Sequence, residues 1–183
     1  MHGLKPFEGD TFIKGEIQKL IDKFELINCV ETGTQFGSTT KVFERMFVNT
    51  FTIEANKDYS DFAAERLLAD THCINGFSQD ALKQMDIDNC LYYLDAHGHD
   101  TGGCPLKFEL EVLSWKKYKN ICIVIHDFKV PEKDFGFDAY DYELCFEEIE
   151  VLLWAVYPEG FEYHYNSEAD GQKRGVIYIY PKK

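Results

Sequence analysis

The segment Asn28-Cys29-Val30-Glu31-Thr32-Gly33-Thr34-Gln35-Phe36-Gly37-Ser38-Thr39-Thr40 constrains the fold more than any other part of the chain. An apolar stretch ends in an acid, passes through a glycine-containing turn and enters small hydroxyl residues suited to opening a helix. In α/β proteins such a strand–turn–helix unit presents a ligand at the carboxyl edge of the first strand. Gly33 and Gly37 permit a tight turn and close backbone approach, while Ser38 and Thr39 can bond a ligand or cap the helix. The spacing E-x-G-x-x-x-G departs from the dinucleotide pattern G-x-G-x-x-G. It lacks the middle glycine that clears room for a pyrophosphate, and no Gly-Lys-Ser/Thr follows to hold a triphosphate. Glu31 ahead of the turn disfavours phosphate and favours an ammonium group. A strand–turn–helix with no ligand carries the same local pattern.

The rest of the chain repeats the alternation. Apolar, β-rich runs are expected as strands near 27–30, 50–54, 72–74, 90–94 and 121–125. Helical periodicity falls between them, near 12–24, 38–47, 59–68, 81–85, 105–115 and 142–156. Continuous apolar strands alternating with amphipathic helices predict a doubly wound, mostly parallel sheet covered on both faces. Two final strands, near 161–165 and 175–180, have only the turn-rich segment 166–173 between them. They should pair as an antiparallel hairpin and complete a seven-stranded sheet. The late aromatics (Trp154, Tyr157, Phe161, Tyr163, Tyr165, Tyr178, Tyr180) are most simply packing residues. The segment 129–140, with Pro131 and Gly136, is expected to be a mobile cover over a site.

At 183 residues with 45% hydrophobic content, the chain can bury one sizeable core, and a single domain over 1–183 is expected. The formal charge of −13 argues against tracking a nucleic-acid backbone and points to a small-molecule or protein substrate, of which a small molecule is expected here. No apolar run is long enough to span a bilayer and the first residues lack a secretory stretch, so a cytoplasmic protein without membrane partners is expected. Its six cysteines (Cys29, Cys73, Cys90, Cys104, Cys122, Cys145) include no C-x-x-C pair and are expected to be reduced thiols. The oligomeric state is not legible.

Ligands of such sheets sit at the carboxyl ends of the strands, and here those ends are acidic: Glu31, Glu54, Asp95 and Asp127. Glu54 stands where a carboxylate would accept both hydroxyls of a ribose. With Glu31 suited to an ammonium group, the ligand these features suggest is S-adenosylmethionine. Asp95-Ala96-His97-Gly98-His99-Asp100 and His126-Asp127 could also gather around a cation. Carboxylates suit Mg2+, and added imidazoles tilt a site toward Mn2+, Fe2+ or Zn2+. The histidines could equally orient a loop by hydrogen bonds. A superficial similarity of the His-x-His-Asp string to metallo-β-lactamase-type zinc hydrolases fails, because no second histidine follows at the needed spacing.

Over most of its length the chain resembles class I S-adenosylmethionine-dependent methyltransferases, and within them the cation-dependent O-methyltransferases of the catechol type. The segment Lys14-Gly15-Glu16-Ile17 is similar to that family's helix before the ligand turn, and 31–38 to its glycine motif. Glu54 matches its ribose acid, and Gly76-Phe77-Ser78-Gln79-Asp80 its adenine-contacting segment. The resemblance implies a cofactor site of Glu31, Gly33, Gln35, Gly37, Ser38, Glu54, Gly76, Ser78, Gln79 and Asp95. It also places Asp95 and Asp127 at two metal-binding positions. Leu94-Asp95-Ala96-His97 and Pro105-Leu106 are similar to macrocin-type sugar O-methyltransferases, which widens the acceptor range. Two positions depart from the family. Its lysine base is Gly98 here, and its third metal ligand, an asparagine, is Phe128.

The implied activity is methyl transfer to a small-molecule hydroxyl. Asp95 and Asp127, with His97 or His126, would hold a divalent cation such as Mg2+, and His97 or His99 would replace the missing lysine as base. The alternatives are a non-catalytic adenosyl-binding protein and a metal-dependent hydrolase or hydroxylase built on the same loop.

Overall fold

Seven strands form one sheet in the order β3-β2-β1-β4-β5-β7-β6 in the computed structural model, which describes residues 5–96 and 103–182. The strands are β1 (Asn28–Thr32), β2 (Asn49–Glu54), β3 (His72–Asn75), β4 (Cys90–Leu94), β5 (Ile121–His126), β6 (Phe161–Tyr165) and β7 (Val176–Pro181). The first five run parallel; β7 pairs antiparallel with both β5 and β6, giving the expected closing hairpin. Chain direction across the sheet reverses between β1 and β4, which pair from Asn28 with Cys90 to Thr32 with Leu94.

Helices α1 (Ile13–Phe24), α2 (Thr40–Phe43), α3 (Lys57–Ala64), α4 (Ser78–Gln84), α5 (Leu106–Lys116) and α6 (Phe146–Val156) cover the sheet. Strand alternation divides its side chains between two cores. Ile13, Ile17, Leu20 and Phe24 of α1 pack with Cys29, Leu91, Tyr93, Val124 and Tyr178 on one face. Leu106, Leu110 and Leu113 of α5 and Ile149 and Leu153 of α6 pack with Val30, Tyr92, Leu94, Ile123 and Ile177 on the other. Buried on both faces, β4 and β5 read in sequence as unbroken apolar runs. Among the described residues no helix is long and apolar enough to cross a membrane.

Three helices are shorter by two residues or more than their sequence periodicity predicts; the one expected at 59–68 runs Lys57–Ala64. The one expected at 38–47 is regular only over Thr40–Phe43 and continues in turns, with Arg45 and Met46 N–H bonding three residues back. The one expected from 142 begins at Phe146, because Glu143 first bridges to Ala139. The segment 129–140, expected to be a mobile cover, is tied down by backbone bonds from Lys129 to Leu144, Asp138 to Asp127 and Gly136 to Lys173. A free thiol is found at all six cysteines.

Candidate functional site

The carboxyl ends of β1, β2, β4 and β5 open onto one cleft of about 840 Å3. Its position follows from the chain reversal between β1 and β4, which leaves the loops after those strands diverging. The turn after β1 forms the floor. Gly33 takes a left-handed conformation (φ 84°), and a Cβ there would lie 2.3 Å from the Asp95 carbonyl oxygen. The Gly33 N–H donates to Ile53 O at 2.9 Å and the Asp95 N–H to Thr32 O at 3.1 Å, pinning the turn between β2 and β4.

Glu54 closes β2 and is nearly buried on the cleft wall. Its Oε2 accepts the Gln35 N–H at 2.7 Å and its Oε1 accepts the Asn56 N–H at 2.8 Å. These bonds fix the carboxylate at the end of its strand and leave lone pairs for a ligand. Asn56 in turn caps α3 through the N–H groups of Asp58 and Tyr59. Gly33, Gln35, Ser38 and Glu54 line the cleft, as do Gly76, Ser78, Gln79 and Asp95. Phe77 at the start of α4 also lines it, with 53% of its surface exposed.

Glu31 and Gly37 lie elsewhere. Glu31 turns away from the cleft into the protein, where Thr40 Oγ1 (2.5 Å) and Thr52 Oγ1 (2.7 Å) donate to its Oε2. Burial raises its pKa to about 8, against those two hydroxyl bonds, which lower it. The expectation that this acid meets a ligand ammonium is therefore corrected: it braces the start of α2 against β2 from behind the turn. Gly37 packs toward Ala63 and Leu67 of the α3 region. Its left-handed φ of 73° serves the turn and not the cleft wall.

A second, charged half of the cleft comes from the later strands. Asp95 and Asp127 both line it. His126 is 1% exposed, with Nδ1 3.7 Å from Asp95 Oδ1 and 3.3 Å from Asp127 Oδ2. Burial alone would lower the imidazole pKa, but the two aspartates overcome it and raise it to about 9. Arg174, just before β7, ion-pairs with Asp127 through Nε and with Asp138 through Nη2, and its Nε lies 3.8 Å from Glu8 Oε2. The segment from Pro6 to Gly9 carries Glu8 into the site, with Phe7 (φ 51°) and Glu8 (φ 54°) left-handed. Phe7 is anchored by an N–H bond to Thr39 Oγ1 at 3.0 Å. Sequence reasoning missed Glu8, Asp138 and Arg174, all of which sit in segments without periodic patterning. His97 and His99 lie outside the described residues.

No protein-family model and no curated protein sequence matches the chain. Solved structures do match it. An O-methyltransferase from Bacillus cereus in complex with SAH superposes with a TM-score of 0.65 at 16% identity, covering 98% of this chain and 84% of that one. The chain has the class I methyltransferase fold. A second structure with this methyltransferase fold, a SAM-dependent methyltransferase from Aquifex aeolicus, gives a TM-score of 0.57 at 19% identity over 89% of this chain and 88% of that one. A precorrin 8w decarboxylase from Methanobacterium thermoautotrophicum gives 0.57 at 16% identity over 94% and 90%. Identities this low establish architecture alone. The decarboxylase in the set makes the point that chemistry has to be argued from the residues of the cleft.

Proposed function

We propose that the protein transfers a methyl group from S-adenosylmethionine to a small-molecule hydroxyl. Glu54 carries the reading: a fixed carboxylate at the end of β2, beside a glycine turn that no side chain could occupy, is built to hold a ribose diol. Gly33 and Gln35 would border the methionine part, with Gly76, Phe77, Ser78 and Gln79 around the adenine. The cleft is large enough for both cofactor and acceptor, and Asp95 stands where the two would meet.

The sulfonium supplies an activated methyl group. The acceptor oxygen forms the new C–O bond as the C–S bond breaks, leaving a thioether, and the acceptor proton passes to a base. The protein's task is alignment and proton removal. His97 or His99, which follow Asp95 in sequence, is the proposed base. No step in this reading passes through a divalent cation, because Asp127, one of the two aspartates a cation would need, is already ion-paired with Arg174.

Binding calorimetry with S-adenosylmethionine and S-adenosylhomocysteine tests the proposal. Glu54→Ala is expected to weaken both by roughly 1.5–3 kcal/mol, about 10- to 150-fold, through loss of charge-assisted hydrogen bonds. A thermal melt run in parallel separates this from collapse of the Gln35 turn. Equal affinity in a folded Glu54→Ala variant would reject the cofactor assignment.

A further inference from the structure

The resemblance to cation-dependent methyltransferases implies a divalent ion between Asp95 and Asp127, yet the cleft is arranged for a different cation. Both oxygens of Asp127 are engaged. Oδ1 is ion-paired with Arg174 Nε, and Oδ2 faces His126 Nδ1 at 3.3 Å. The next residue, where the resemblance implies an amide ligand, is Phe128, which is fully buried and whose side chain has no donor atom to offer a metal. Among the described residues one group of three could hold a metal: Glu8, His126 and Asp127. Arg174 reaches two of those three, and its other nitrogen takes Asp138.

The arginine is held there by the backbone. Gly136 N–H donates to Lys173 O at 2.8 Å and Gly175 N–H to Gly136 O at 2.8 Å. Phe128 N–H donates to Gly175 O at 2.8 Å, and Asn166 Nδ2 donates to Arg174 O at 3.1 Å. Residue 174 is thus clamped between the segment after β5 and the turn before β7. The clamp needs glycine at 175, where a Cβ would fall 2.0 Å from the Phe128 carbonyl oxygen. With its backbone fixed, the planar guanidinium can bridge two carboxylates with little further loss of rotamer freedom.

We propose that Arg174 is the resident cation of this cleft, taking the Asp127 carboxylate that the resemblance assigns to a divalent metal and making the site metal-independent. The inference rests on the methyl-transfer reading of the cleft but is read out by a separate measurement. A divalent ion coordinated by Asp127 would have to displace a guanidinium already neutralising that carboxylate, and would then sit beside it at like charge.

The test is titration of the chelator-treated full chain with Mn2+ and with Mg2+ by calorimetry, with S-adenosylhomocysteine binding measured separately. Asp127-dependent binding is defined as the difference between the wild type and Asp127→Asn. The wild type is expected to show none below millimolar metal. Arg174→Met, which frees Glu8, Asp127 and Asp138, is expected to gain Asp127-dependent Mn2+ binding at least tenfold tighter. Micromolar binding by the wild type that Asp127→Asn abolishes would overturn the proposal, as would a folded Arg174→Met variant with no gain. If Arg174→Met does not fold, the wild-type comparison with Asp127→Asn decides alone. Failure to bind S-adenosylhomocysteine would count against the proposed function and leave the metal comparison readable.

Discussion

Gly33→Ala is expected to destabilise the fold by about 2–5 kcal/mol and to weaken S-adenosylhomocysteine binding at least tenfold. Two costs add. A left-handed backbone at a residue with a Cβ costs roughly 1–2 kcal/mol, and forcing a methyl group into a packed site costs about 1–3 kcal/mol more. The second cost applies because the added atom would meet the Asp95 carbonyl oxygen at 2.3 Å, and that oxygen is backbone at the end of a buried strand. Relief requires the β1 turn and the end of β4 to separate, which moves Gln35 away from Glu54 and Asp95 away from the cleft floor. Gly15→Ala is the control. Gly15 lies within α1, nothing approaches within 4 Å of the place its added methyl would take, and the change should stabilise by about 0.5–1 kcal/mol. Urea denaturation and binding calorimetry on the two variants give both readouts. A Gly33→Ala protein that unfolds and binds like the wild type would show that the turn does not shape the cleft.

Stability should fall as pH rises from about 5 to about 8, and Glu31 should account for much of the fall. Its folded pKa is raised from its ordinary value near 4.5 to about 8 by burial. A raised folded pKa means the native state holds its proton more tightly than the unfolded chain. The resulting stability is complete below the unfolded value and is lost as pH climbs through the folded one. At pH 7 the loss is on the order of 2–3 kcal/mol relative to pH 4. Glu31→Gln keeps the shape and an oxygen able to accept from Thr40 and Thr52 but cannot ionise. Its melting temperature should therefore exceed the wild type's at pH 8 and converge with it at pH 5. His126 contributes in the same direction over its own window, from about 6.5 to about 9, and does so equally in both proteins. Parallel curves for wild type and Glu31→Gln would mean that Glu31 is ionised in the native state.

The sheet was legible because burial on both faces writes itself as uninterrupted apolar runs. β4 and β6 have the expected bounds, and the other strands differ by one or two residues. β1 extends to Thr32 instead of ending at Val30, because its neighbours β2 and β4 continue the register that far. The glycine turn and Glu54 could be read because local backbone chemistry dictates them. Glu31 was misread because its fate depends on Thr40 and Thr52, partners that only tertiary structure brings within reach. Arg174 was not legible at all. It lies in a turn-rich stretch, and its meaning comes from backbone pairing with Gly136 and Phe128, 38 and 46 residues earlier in the chain.

The chain reversal between β1 and β4 also divides the protein's labour along its own sequence. Gly33, Glu54, Ser78 and their neighbours come from the half that runs out to β3, whereas Asp127, Asp138 and Arg174 come from the half that runs out to β6, with Glu8 of the amino-terminal segment as the one earlier residue described among them. If the cleft works as proposed, substitutions in the later half would remodel the acceptor wall while the earlier half keeps its contacts to the cofactor. On the proposed function the two properties would be separable: substitutions beyond β4 would change the acceptor without forfeiting the methyl donor.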